Sequence, residues 1–165
     1  MKKMYIWIAL LLVCLTAVFV QLNRVYDAYQ TPPALEVYCE DFFIRVPGTA
    51  VFWSCDTIFF GEEHHGGSLL HPLERQMLTL DTLGYPAKGY PVSIALEEEG
   101  EILSVERWLA SEIGNVEAQA LPVQLEDGNI IPVDGGDWVY EIQVGFEQPH
   151  YNGTASYVFR ITYPQ

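Results

Sequence analysis

Basic residues are scarce. Eight lysines and arginines stand against 22 aspartates and glutamates, a formal net charge of −14 in 165 residues. The shortage is uneven. Residues 1–30 hold three bases (Lys2, Lys3, Arg24) against one acid (Asp27), a net of +2, whereas residues 31–165 hold five bases against 21 acids, a net of −16. So acidic a body repels phosphate backbones, which argues against a nucleic-acid partner and suits a solvated surface. Cysteine is nearly absent, with three in the chain, and a dense disulfide scaffold is excluded. Signature motifs are missing as well. There is no G-x-S-x-G, no P-loop, no G-x-G-x-x-G and no H-E-x-x-H, so none of the reactions those motifs announce is signalled. Internal repeats and low-complexity tracts are also lacking.

The one long apolar run opens the chain: "MKKMYIWIALLLVCLTAVFVQLNRVYDAYQ" is uncharged from Met4 to Leu22. As a helix those residues span about 28 Å, close to the ~30 Å hydrocarbon core of a bilayer. Tyr5 and Trp7 at one end, with Tyr26 and Tyr29 beyond the other, suit the two interfaces. Lys2 and Lys3 favour a cytoplasmic N-terminus, an asymmetry that Arg24 weakens. A cleaved signal peptide competes with a retained anchor, but the run is long and no A-x-A site follows it. Cys14 raises a lipoprotein signal, which Val13 fits poorly. The expectation is an anchor over residues 1–29, a linker over 30–36 stiffened by Pro32 and Pro33, and an exported domain over 37–165.

Aromatic residues are plentiful, with 8 Phe, 10 Tyr and 4 Trp, and favour strands. Strand-like runs recur at 35–46, 49–60, 76–82, 90–97, 101–108, 121–126, 129–133, 137–147 and 154–163, which predicts a sandwich or barrel. Val105, Trp108, Leu109 and Ile113 have helical spacing, so "SVERWLASEI" also admits a helical turn. If Asn152-Gly153 forms a two-residue turn, Phe146 faces Phe159, Val144 faces Ile161 and Ile142 faces Tyr163. These residues share one face with Trp138, Tyr140 and Tyr157, while Glu141, Gln143, Arg160 and Thr162 take the other. Glu99-Gly100 and Asp127-Gly128 predict two further hairpins, with Leu96 opposite Leu103, Ile94 opposite Val105 and Leu125 opposite Ile130.

Export makes Cys39 and Cys55 a candidate disulfide pair. They flank "FFIRVPGTAVFW", a predicted hairpin turning at Pro47-Gly48, with Ile44 opposite Val51 and Phe42 opposite Trp53. That register sets Cys55 opposite Glu40, on the other face from Cys39. A bulge at Glu40-Asp41 would bring the sulfurs together, and without one they stay thiols.

"IIPVDGGDWVYEIQVGF" followed by "GTASYVFRI" resembles the last strands of immunoglobulin-like β-sandwich domains in bacterial surface proteins and lipoproteins. Asp134, Gly136, Trp138 and Tyr140 are similar to the corner before the penultimate strand there, with Trp138 standing where a Tyr is usual. The resemblance covers 129–163 well, 90–126 loosely and 35–89 hardly at all. It implies an immunoglobulin-like antiparallel β-sandwich and no particular chemistry.

Candidate chemistry is sparse. "GEEHHGGSLLH" gathers His64, His65, His71, Glu62 and Glu63, ligand types for a metal, but adjacent histidines lack the spacing that puts two imidazoles on one side. A polar loop is the plainer reading. "LEEEGE" and "EDGN" put carboxylates at tips without the alternation of a Ca²⁺ loop. Ser54-Cys55 has no histidine nearby in sequence. Asn152-Gly153-Thr154 matches a glycosylation sequon, although the hairpin accounts for the same residues. Phe42, Phe43, Phe52, Trp53, Phe59 and Phe60 are expected to fill the core rather than line a ligand surface. These observations point to a membrane-anchored extracytoplasmic β-sandwich of the cell envelope, binding or structural rather than catalytic, with no cofactor, metal or catalytic residue assigned. Its partners would be the membrane and an envelope protein or ligand that the sequence does not identify. A small envelope hydrolase or metal enzyme built on His64, His65 and His71 is one alternative. An accessory or sensor subunit with exposed aromatics at 42–60 is another.

Overall fold

The computed structural model describes residues 2–57, 61–67, 69–74, 80–84, 90–131 and 135–163. Among these described residues one helix, α1 (Lys2–Tyr29), precedes twelve strands: β1 (Leu35–Cys39), β2 (Phe42–Val46), β3 (Thr49–Thr57), β4 (Gly61–Gly66), β5 (Thr82–Gly84), β6 (Val92–Leu96), β7 (Glu101–Leu109), β8 (Leu121–Pro122), β9 (Leu125–Glu126), β10 (Asn129–Ile130), β11 (Gly136–Gln148) and β12 (Tyr151–Tyr163). Short 3₁₀ turns lie at Pro72–Glu74 and Ala110–Glu112. The second of these directly follows β7, so "SVERWLASEI" is strand first and helical only at its end.

The strands form two mostly antiparallel sheets, ordered β2-β1-β6-β10-β9 and β4-β3-β12-β11-β7-β8, with β5 pairing parallel to β12 in the larger one. The two layers share one core. Leu35, Val37, Cys39, Val46, Val92 and Ile130 of the smaller sheet meet Trp53, Tyr140, Ile142, Val144, Phe146, Tyr157, Phe159 and Ile161 of the larger. A second cluster lies on the far face of the larger sheet, where Leu73, Leu80, Trp108 and Ala110 cover Val139 and Val158. That face, assigned from sequence to Glu141, Gln143, Arg160 and Thr162, is thus partly covered: Glu141 and Ser156 are buried there, with Ser156 Oγ donating to Glu141 Oε1 at 2.5 Å.

The β11–β12 pair is the longest ladder, and its turn is not at Asn152-Gly153. Gln148 pairs with Tyr151, so Pro149-His150 makes the turn and Phe146 faces Gly153 rather than Phe159. The partner of Phe146 thus moves by six residues. Because six is even, every side chain keeps its predicted face, and Trp138, Tyr140, Ile142, Val144, Phe146, Tyr157, Phe159, Ile161 and Tyr163 are all buried. Two residues explain the displacement. Pro149 has no amide for the ladder, and its fixed φ suits the first corner of a tight turn. Gly153 is needed where β12 meets β3: its φ is +146°, and an added Cβ would sit 2.1 Å from the Phe52 carbonyl oxygen.

Two other predicted hairpins are also replaced. β2 pairs with β1 through a turn at Glu40-Asp41, not with β3 through Pro47-Gly48. Pro47-Gly48 instead carries the chain between the sheets, where a Cβ on Gly48 would lie 2.7 Å from Pro32 Cβ. Likewise β6 and β7 belong to different sheets, so Glu99-Gly100 is a crossing rather than a hairpin. Short runs with turn residues between them cannot distinguish a return within one sheet from a step across the core. Asp127-Gly128 does form its hairpin, with Leu125 opposite Ile130 and positive φ at both turn residues.

The helix is not loosely tethered. Trp53 Nε1 donates to the Tyr29 carbonyl at 2.7 Å, and Tyr29 stacks on His150 with ring centroids 5.3 Å apart. β1 begins at Leu35, inside the stretch expected as linker, and the chain before it is pinned: Tyr157 Oη donates to the Pro33 carbonyl at 2.7 Å and Ala34 N to Glu97 Oε2 at 3.1 Å.

Candidate functional site

The histidine-rich stretch is an edge strand, β4, rather than a loop. Strand alternation then separates the two adjacent imidazoles. His64 stacks on Phe52, ring centroids 6.4 Å apart, whereas His65 Nε2 lies 3.7 Å from Glu63 Oε1 on the opposite face. His71 is elsewhere: its Nδ1 accepts from Leu73 N at 3.2 Å and its ring packs edge-on to Trp108. The three candidate ligands are not brought together, and among the described residues no cluster of three metal-ligating side chains occurs. Ser54 Oγ donates to Glu62 within the β3–β4 pair.

Cys39 lies on β1 in one sheet and Cys55 on β3 in the other, and both are buried thiols with no disulfide between them. The site proposed for a bulge, Glu40-Asp41, is the β1–β2 turn itself. Burial pushes the Cys55 thiol up from its ordinary value, with Glu63 and Asp56 adding to the effect.

The acidic tips have structural employment. Glu97 pairs with Arg45 and caps Ala34 N, and Glu98 accepts from Tyr151 Oη. Tyr151 is pushed well above the usual phenol range, first by burial and then by Glu98. At the other tip, the Asn129 amide donates to the carbonyls of Glu126 and Asp127, and Ser93 Oγ donates to Asn129 Oδ1 at 2.6 Å. Of the corner picked out by sequence, Asp134 lies outside the described residues; Trp138 Nε1 makes no hydrogen bond among the described residues, but its ring lies 4.1 Å beneath the Arg107 guanidinium carbon.

The aromatics divide. Trp53 is fully buried against Tyr151 and Phe146, with centroids 5.0 and 5.7 Å away. Phe42, Phe43 and Phe52 are 63%, 69% and 54% exposed, against the expectation that they fill the core. Phe59 and Phe60 lie outside the described residues. Phe42 and Phe43 sit on β2, the edge strand of its sheet among the described residues; Phe52 faces outward from β3, away from the core that Trp53 enters.

Phe52 also marks a feature that sequence reasoning missed. Where the second cluster stops covering the larger sheet, a groove of about 920 Å³ remains, lined by Phe52, Leu103, Glu99, Glu101, Glu147 and Thr154 among others. Gly145 lies at its centre, between Thr154 on β12 and Glu101 on β7. The available signal was Gly145 itself, a lone glycine inside a long strand pattern. Comparison of the chain with protein-family models, with curated proteins and with solved structures finds no match.

Proposed function

We propose that the chain is a single-pass membrane protein of the cell envelope, in which α1 anchors an extracytoplasmic immunoglobulin-like β-sandwich acting as a binding or structural module rather than a catalyst. One observation carries the reading: the most apolar 18-residue window within Tyr5–Tyr29 has a mean hydropathy of 2.4, and none of that window is buried against the strands. So much exposed apolar surface on an ordered helix is costly in water and favourable in lipid. Lys2 and Lys3 set the N-terminus on the cytoplasmic side, and the acidic strand domain lies across the bilayer. The two-layered antiparallel arrangement supports the immunoglobulin-like fold, and the dispersal of His64, His65 and His71 supports a non-catalytic role.

The test is membrane fractionation with protease protection. The chain should stay in the pellet after carbonate washing, and the strand domain should be digested only from the outer side. Recovery as a soluble cytoplasmic protein would sink the proposal. Stoichiometric zinc in the purified chain, lost when His64 and His65 become alanine, would replace it with the metal-enzyme reading. A second reading, an accessory or sensor subunit that touches a neighbouring membrane protein, is favoured by the exposure of Phe42 and Phe43 on the β2 edge.

A further inference from the structure

The groove on the larger sheet has walls, a floor and a charge. Its walls are the exposed side chains of Phe52 on β3 and Leu103 on β7, 54% and 53% accessible. Two strands, β12 and β11, lie between them, so the walls stand three strand spacings apart, about 14 Å at the backbone. The floor is made of Thr154 and Gly145. Three carboxylates, Glu99, Glu101 and Glu147, face it, and none of the described residues that line it is basic.

Gly145 is the informative residue. A glycine inside a strand weakens it and usually marks a bulge, a tight bend or the close approach of a ligand or another backbone. Strain is excluded, because its φ is not positive. Crowding is excluded too: an added Cβ would meet nothing nearer than Leu103 side-chain carbons at 3.5 Å, an ordinary contact. By contrast, a Cβ on Gly153 or Gly100 would lie 2.1 or 2.9 Å from its nearest neighbour. Register shifts do lie beside it, between Gln143 and Val144 towards β7 and between Thr154 and Ala155 towards β3, and its missing side chain leaves the floor of the groove open there.

We propose that this groove binds an extended, lysine- or arginine-bearing segment of a partner protein, which deepens and rests on the binding-module reading above. The volume lies at the upper end of the ~300–1,000 Å³ typical of binding clefts. A chain lying along the strands between Phe52 and Leu103 would point alternate side chains at the floor. Basic groups among them meet Glu101 and Glu147, and their aliphatic stems meet the apolar walls.

The test uses the full chain in zwitterionic phosphatidylcholine nanodiscs, with empty discs as the blank. The probe is a short fluorescent peptide alternating lysine and valine, and the control alternates glutamate and valine. Saturable binding of the lysine peptide alone, weakening as salt is raised, is expected. Gly145→Val, which fills the floor, and the pair Glu101→Gln with Glu147→Gln, which removes charge without adding bulk, should each weaken it at least about tenfold. Glu36→Gln with Glu126→Gln on the other sheet should not. Circular dichroism checks folding, and the glutamine pair keeps the test decisive if Gly145→Val misfolds. Equal binding of the glutamate peptide, unchanged binding in the glutamine pair, or no saturable binding overturns the groove assignment and leaves the anchor intact. A chain that stays out of the discs overturns the anchor reading and this inference with it.

Discussion

Gly145 and Gly153 are both strand glycines, although the Asn152-Gly153 pair reads in sequence as a turn. A Cβ on Gly153 would collide with the β3 backbone, so Gly153→Ala should cost on the order of 3 kcal/mol or more. Gly145→Ala should change stability by less than about 1 kcal/mol. Denaturant unfolding of the full chain in detergent micelles measures both, and equal midpoints would contradict the close approach at β3. Glu40 gives an opposite case. It holds φ at +53° in the β1–β2 turn, a conformation that favours glycine, so Glu40→Gly should raise the unfolding free energy by up to about 1 kcal/mol. The thiols allow a third check. Cys39 and Cys55 are buried and unbridged, so maleimide should label them only after unfolding, and a reductant should leave the unfolding midpoint unchanged. A drop in that midpoint on reduction would mean that the two are bonded.

At the scale of elements, the join between helix and strands depends on few contacts. Trp53 fills the core and donates its indole N–H to the last helical carbonyl, and Tyr157 reaches across to Pro33. Trp53→Phe keeps most of the buried ring but deletes the donor, at a cost of about 1 kcal/mol. The loss should appear locally, as faster hydrogen exchange over residues 27–34, with β11 and β12 unaffected. Uniform acceleration along the chain would show that Trp53 supports the core alone. Of the paired elements, β11 and β12 were the most legible in sequence, because apolar residues alternate over their whole length. Their faces could be read while their register could not: any even shift preserves the pattern, and the choice fell to Pro149 and to the approach of β3. The hairpins at Pro47-Gly48 and Glu99-Gly100 failed for a related reason, since a tight bend between apolar strands serves equally well to change sheets.

For the molecule as a whole, charge sets the response to pH. Arg160 grips Asp137 through two hydrogen bonds between β12 and β11, and with Thr162 it holds the Asp137 carboxyl below the usual carboxylate range. The folded pKa is therefore lower than the unfolded one. The stabilisation is complete above the ordinary carboxylate value and is lost as pH falls through the depressed one. Thermal unfolding followed from neutral into acid should show this loss, and Asp137→Asn should lower the neutral melting temperature while flattening the acid limb. An unchanged acid limb would mean that other carboxylates govern acid unfolding.

Local chemistry determined much of this protein. The uncharged run from Met4 to Leu22, the acidic remainder, the strand-rich body and the inward faces of β11 and β12 all follow from residue type and spacing, which are properties of neighbours in the chain. Tertiary structure decided the rest: which strands pair, the split of His64 from His65 and of Cys39 from Cys55, the exposure of Phe42, Phe43 and Phe52, and the open groove at Gly145. Each of these depends on what lies across a sheet or between two layers, and segments distant in sequence settle that by competing for the same apolar surface and the same backbone hydrogen bonds.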